Sequence, residues 1–287
     1  MKIAAIVVTY NRLDFLKKNI ESLVAQSLKL DAIYIIDNAS TDNTYNYVQE
    51  LTQTYSFIVN HRLAKNIGCA GGFKYALQKC IEDGYDWFWL MDDDCVADKK
   101  CLEKQVQSIS KENIFSMPLV LAIEDKITPV WNQKAIYKSD KILIEVLIAQ
   151  FNGVLISKKI VKDIGFPDEN FFIYADDVEY SLRLKKHGGK VLLNKEAIMY
   201  HPYKFQDIGR NKLKIPYYEL SKLRIYYATR NNIIIKKQYG FSNGRSFYIH
   251  IKFIIKLLLN LKFKLVILKI QGMIDGYLGR VYVKDIN

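Results

Sequence analysis

The sequence predicts an α/β fold: a mostly parallel central sheet, Rossmann-like, flanked by helices and followed by a helical C-terminal extension. Three observations predict it. Short apolar runs alternate with helical patterns over the first 60 residues, a βαβαβ order that implies parallel strands and right-handed crossovers. The run Trp87–Met91 is apolar without a break, as in a strand covered on both faces. From about Tyr217 the chain changes to tyrosines, arginines and lysines interleaved with aliphatics at helical spacing.

Taken in order, residues 3–10 form a buried strand and Asp14 caps a helix from Phe15 to about Gln26, with Phe15, Leu16, Ile20, Leu23 and Val24 on one face. A second strand, Ala32–Ile36, ends in Asp37, and a helix runs from about Asn43 to Gln53. Ser56–Asn60 is a third strand, and a glycine-rich entry at residues 66–73 leads into a helix from about Lys74 to Glu82. After Trp87–Met91 come a helix at residues 99–110, a strand at 116–121 and a strand at 151–157. A short helix ends near Gly165, another runs from Val178 to His187, and Lys190–Leu193 with Ala197–Tyr200 make a last pair of short strands. Segment 114–150 is otherwise unassigned; its Trp131 suits stacking on a sugar or plain core packing equally.

A chain of 287 residues, 50% hydrophobic and 25% charged, is long enough for one large domain with an appendage. The boundary is expected at 213/214. Four cysteines without a CxxC pair suggest a reduced, cytosolic protein, and the run after Met1-Lys2 is too short for a secretory leader. Of the net charge of +12, residues 214–287 carry +11. That asymmetry calls for an anionic partner. No run has transmembrane length. In the tail, Lys252, Lys256, Asn260 and Lys264 form one polar stripe on a continuous helix, as in a basic amphipathic helix lying on an anionic membrane surface. Packing on the preceding domain is the competing reading; nucleic acid is disfavoured, since no nucleic-acid-binding motif is present.

The chemistry concentrates at strand ends. Asp92, Asp93 and Asp94 follow the apolar run directly. Three adjacent carboxylates repel, and partial burial makes their charged forms costlier still, so a cation there resolves the conflict. Hard oxygen ligands favour Mg²⁺ or Mn²⁺. Asp37 ends a neighbouring strand on the same rim, where open α/β sheets bind ligands. Asn66, Gly68, Gly71 and Gly72 can bring backbone N–H groups to a phosphate, or can be a simple helix entry. Asp176 and Glu179 have capping-box spacing, which leaves Asp177 without a structural task. His201, fixed by Pro202 at the end of an apolar strand, is an acceptable Mn²⁺ ligand.

These stretches together resemble glycosyltransferase family 2, whose members have the GT-A fold. The matching residues are Val7–Arg12, Asp37–Asp42, Asn66–Phe73, Asp92–Asp94, Asp176–Tyr180 and Tyr226–Asn231. Within the family the chain is most similar to bacterial galactofuranosyltransferases, with rhamnosyltransferases next. The resemblance implies that Asp37 contacts the nucleotide base, with Thr9 and Arg12 beside it. Asp92 and Asp94 then hold the metal, His201 completes its coordination, and Asp93 joins the donor site. Asp177 becomes the catalytic base, the donor a nucleotide sugar and the acceptor a lipid-linked glycan reached from the inner face of the cell membrane. One departure is Cys69, where the family pattern has glycine. A non-catalytic sugar-nucleotide-binding scaffold and a metal-dependent phosphodiesterase are the rivals from other classes.

Overall fold

The computed structural model describes residues 1–109, 114–130, 134–203, 221–241 and 244–284. The chain divides into two compact units, Met1–Glu169 with Tyr180–Tyr203, and Asn170–Glu179 with Lys204–Asn287. The expected boundary at 213/214 and Trp131 lie outside the described residues.

The first unit is built on a nine-stranded mixed sheet. Its strands are β1 (Ile3–Thr9), β2 (Ala32–Asp37), β3 (Ile58–Arg62), β4 (Trp87–Asp92), β5 (Val96–Ala97), β6 (Ile114–Ala122), β7 (Leu143–Val146), β8 (Asn152–Ser157) and β9 (Lys190–His201). Their order is β3-β2-β1-β4-β8-β6-β9-β5, with β7 also on β9. Strands β3, β2, β1 and β4 are parallel, and β8 runs antiparallel between β4 and β6. The segments expected as two short strands near residue 195 are one strand, β9, because β6, β7 and β5 all pair along it.

Helices α1 (Leu13–Val24), α2 (Thr44–Thr54), α3 (Gly68–Glu82), α4 (Cys101–Ser108), α5 (Lys134–Tyr137) and α6 (Lys158–Ile164) belong to this unit, and α7 (Asp176–Lys186) enters it from the other. Every residue of β1 is buried, and Phe88, Trp89, Leu90 and Met91 of β4 are wholly so. Each such large apolar side chain stabilises the fold by roughly 1.5–3 kcal/mol. Alternate residues of β4 feed two cores on opposite faces: Phe88 and Leu90 meet Phe73 and Leu77, while Trp89 and Met91 meet Leu16 and Ile20.

Two local expectations are corrected. Asp14 lies in the first turn of α1 and does not cap it; the cap position is Arg12. Helix α3 starts at Gly68, six residues before the expected Lys74, and so contains the glycines. They are packing residues. A Cβ on Gly72 would lie 2.7 Å from Val8 Cγ1 of β1, and one on Gly71 would lie 2.9 Å from Ile67 Cγ1. Glycine here lets the helix approach the strand more closely than any side chain allows, which outweighs its poor helix propensity.

The second unit holds α8 (Lys222–Gln238), α9 (Gly244–Leu259) and α10 (Phe263–Leu278), with α10 packed on both others. The expected continuous helix over 246–270 is therefore two helices. Leu261 at φ +55° and the bonds from Asn260, Leu261 and Lys262 N–H back to Leu257 and Leu258 carbonyls end α9. Lys264 thus leaves the stripe of Lys252 and Lys256. Among the described residues no helix is long and apolar enough to cross a membrane.

Candidate active site

The rim of the parallel strands gathers the predicted residues because of register. Thr9 pairs with Asp37, and Val8 pairs with Asp92, so β1, β2 and β4 end level with one another. A register shift between Leu90 and Met91 bends the end of β4, a common device beside functional sites. Buried Asn19 of α1 then ties down the turn, donating from Nδ2 to Cys95 O at 2.8 Å and to Asp92 O at 3.4 Å. Pairing of Val96 with Tyr200 brings the residues after β4 alongside the end of β9.

Arg12 occupies the centre of the acid cluster. Its Nη1 is 3.0 Å from Asp93 Oδ1 and its Nη2 donates to Asp94 Oδ2 at 2.7 Å. Thr9 Oγ1 donates to Asp93 Oδ2 at 2.7 Å. Thr9 is the strand partner of Asp37, as expected, and both it and Arg12 direct their side chains to the acid triplet. Carboxylate repulsion, argued above as the reason for a cation, is met in the protein alone by this guanidinium.

Burial pushes the Asp93 carboxyl up to about 7, against the opposing pull of Arg12 and Thr9. Burial acts on Asp94 in the same sense, but His201 and Arg12 override it and lower Asp94 to about 2. Two adjacent acids are thereby set apart. Asp93 is held within the structure, and Asp94 is firmly anionic.

His201 Nε2 lies 3.3 Å from Asp94 Oδ1. Its Nδ1 lies 2.8 Å from Pro202 O, an atom that only accepts, so Nδ1 carries a proton. Nε2 is thus the nitrogen that faces the Asp94 carboxylate, and a carbonyl-oriented imidazole is the usual arrangement at metal sites. Asp92 points elsewhere in part: its Oδ1 accepts from Cys69 Sγ at 3.0 Å. Among the described residues no three His, Cys, Asp or Glu side chains converge as a ready metal cage. The Asp94–His201 pair fits a divalent cation that takes its remaining ligands from elsewhere.

Asp37 is fully buried. Its Oδ1 accepts from Ser40 N at 2.8 Å, and among the described residues its Oδ2 makes no hydrogen bond, with Arg62 Nε at 3.8 Å. Next to it, Asn38 donates to Gly68 O and accepts from Ile67 N, while Asn66 Oδ1 accepts from Gly68 N at 2.8 Å. Asn66 and Gly68 therefore shape the entry to α3 at the same rim.

Asp177 belongs to the second unit, at the head of α7. The backbone before it is unusual: Phe172, Tyr174 and Ala175 all have positive φ. Each such non-glycine residue costs on the order of 1–3 kcal/mol and persists only when its surroundings fix it. Asn231 of α8 supplies that restraint, its Nδ2 donating to Phe171 O, Ile173 O and Tyr174 O at 3.0, 3.1 and 2.7 Å. Arg230 adds a bond to Asn170 O at 2.6 Å. Both are fully buried. Burial raises the Asp177 carboxyl to about 6 and, with Asp177 beside it, Asp176 to about 8. Glu179 Oε1 accepts from Tyr239 Oη at 2.8 Å. Asn19, Arg230 and Asn231 were missed as site residues; the Tyr226–Asn231 stretch within the resemblance was the one available signal for the last two.

Residues 4–174 match the family model "Glycosyl transferase family 2". The galactofuranosyltransferase GlfT1 of Mycobacterium tuberculosis is 29% identical over 212 residues, covering 69% of each chain. The dTDP-rhamnosyl transferase RfbF of Shigella flexneri is 22% identical over 246 residues, covering 82% of this chain and 80% of that one. The mannosyltransferase PcManGT of Pyrobaculum calidifontis, solved with GDP-Man and Mn²⁺, superposes with a TM-score of 0.65 at 12% identity, over 97% of this chain and 88% of that chain. The fold is thus the GT-A fold. With the family model spanning more than half of its length, the chain belongs to glycosyl transferase family 2 and is a glycosyltransferase.

Proposed function

We propose that the chain is an inverting, metal-dependent transferase that moves galactofuranose from UDP-galactofuranose to a hydroxyl of a lipid-linked glycan. The observation that carries the reading is the rim itself, where Asp94 is held anionic against His201 and level with the buried, half-satisfied carboxylate of Asp37. Likeness to GlfT1 favours the furanose donor. The longer alignment with RfbF makes dTDP-rhamnose the second reading.

In this account Asp37 Oδ2 accepts from an N–H of the pyrimidine base, the hydrogen bond it lacks in the protein alone. The N-terminal turn of α3, shaped by Asn66 and Gly68, faces the diphosphate with the positive end of the helix. Mn²⁺ or Mg²⁺ would be held by Asp94 and His201, with Asp92 from the strand end. It supplies positive charge against the departing diphosphate. Asp177 takes the acceptor's proton as the hydroxyl attacks the anomeric carbon from the face opposite the leaving group. Arg230 and Asn231 hold the backbone that presents it.

The second unit is the membrane contact in this reading. Helices α9 and α10 expose Ile249, Ile255, Leu259, Phe263, Ile267 and Ile274 among lysines. Apolar side chains then enter the headgroup boundary while lysines meet anionic lipid at about 1 kcal/mol each. The enzyme works at the inner face of the cell membrane. A panel of sugar nucleotides assayed with Mn²⁺ tests the donor; turnover of none of them sinks the reading.

A further inference from the structure

Helices α8, α9 and α10 line an open pocket of about 230 Å³ within the second unit. Arg224, Lys236, Lys269 and His250 line it, and among the described residues no aspartate or glutamate does. Lys269 is only 8% exposed. Its Nζ donates to Thr229 Oγ1 at 2.9 Å and lies 4.7 Å over the Phe253 ring, and no acid pairs with it among the described residues. His250 is 9% exposed, and neither of its ring nitrogens has a hydrogen-bond partner among the described residues.

A buried ammonium without a counter-ion and a buried imidazole with both nitrogens unsatisfied are each costly, and native proteins rarely keep either without an occupant. Burial already lowers Lys269 to about 8 and His250 to about 4, with Lys269 and Lys236 adding to the effect on the imidazole. One ligand relieves both strains: an anion with several oxygens, which accepts from Lys269, Lys236 and Arg224. If it carries a P–OH or a second acceptor, it also satisfies the imidazole. Phe253 adds an apolar wall, and the same helices expose Ile249, Ile251 and Ile270. An anion joined to a hydrocarbon chain suits that surface better than a free ion.

We propose that the α8–α10 pocket binds the phosphate group of an amphiphile, with Lys269, His250 and Lys236 around its oxygens and the chain leaving over the apolar faces of α9 and α10. The source of the ligand rests on the membrane reading above; the phosphate site does not.

The test titrates the full chain with three probes: farnesyl phosphate below its aggregation limit, inorganic phosphate, and phosphatidylcholine vesicles doped with phosphatidylglycerol. The variants are Lys236→Gln, at a half-buried position, and Lys269→Met, which removes an unpaired buried charge. Farnesyl phosphate is expected to bind one per chain by calorimetry, and about tenfold more weakly to each variant. UDP affinity stays as in the parent, and neither variant unfolds at a lower temperature. Inorganic phosphate binding as tightly as farnesyl phosphate would overturn the amphiphile. Unchanged farnesyl phosphate affinity in both variants would overturn the site. Vesicle sedimentation is read separately: loss of vesicle binding with Lys269-dependent farnesyl phosphate binding intact removes the membrane reading and keeps this one.

Discussion

Asn231 Nδ2 donates to the carbonyl oxygen of Tyr174 at 2.7 Å, and Tyr174 has φ +68°. A buried side chain on one helix thus holds a strained residue three positions before the proposed base. Asn231→Ala leaves three carbonyls without that donor and frees Phe172, Tyr174 and Ala175 to relax. The variant should lose about 2 kcal/mol of stability in thermal denaturation. Its kcat should fall at least tenfold, while KM for the donor stays near the parent's. An equal loss in both parameters would mean that the loop serves donor binding.

The raised carboxyl of Asp177 gives a pH profile. A base acts deprotonated, so kcat should fall as pH drops through about 6. Asp177→Asn removes that limb together with nearly all turnover, since a positioned base contributes roughly 10²–10⁴-fold. Asp176 bears on stability in the opposite direction. Below the ordinary carboxylate range its acid is protonated in both folded and unfolded chains. As pH rises toward its folded value of about 8, the unfolded chain has already released a proton that the folded chain keeps. Stability attributable to Asp176 therefore declines from about pH 4 to 8, and unfolding temperatures of Asp176→Asn should be flatter over that range.

Arg12 neutralises two carboxylates at once. Arg12→Ala leaves Asp93 and Asp94 facing each other, but the guanidinium is 40% exposed, so the cost is about 1–2 kcal/mol and not that of a fully buried pair. Manganese should recover part of this loss. Adding Mn²⁺ is expected to raise the melting temperature of Arg12→Ala by more than that of the parent. An identical response would place the ion away from Asp93 and Asp94.

Gly72→Ala puts a methyl group 2.7 Å from Val8 Cγ1. Overpacking of this kind costs about 1–3 kcal/mol, read in denaturant unfolding. Cys69→Gly restores the family pattern and removes a weak thiol donor to Asp92 together with some packing, so its activity should stay within a few-fold.

Much of this was legible in the sequence, and the failures share a cause. Strand β4 is evident because Trp87–Met91 needs two covered faces, and the rim follows from Asp37 and Asp92 each ending an apolar run. The start of α3 was hidden because Gly71 and Gly72 signal a break in isolation, whereas contact with Val8 makes them helical. The break at Leu261 leaves no mark, since leucine is a good helix former and adopts φ +55° only under tertiary constraint. The resemblance puts Arg12 beside Asp37 and is silent on its partners at positions 93 and 94, which strand pairing sets. Asn19 and Asn231 act through hydrogen bonds to backbone far away in sequence, which no local pattern encodes.

The most direct measurement is release of UDP and transfer of sugar from UDP-galactofuranose, by the parent and by Asp177→Asn, with Mn²⁺ and with EDTA. The account predicts turnover by the parent in Mn²⁺, none in EDTA, and loss of at least about 100-fold in Asp177→Asn with UDP binding retained. Full turnover in EDTA, or in Asp177→Asn, would contradict it.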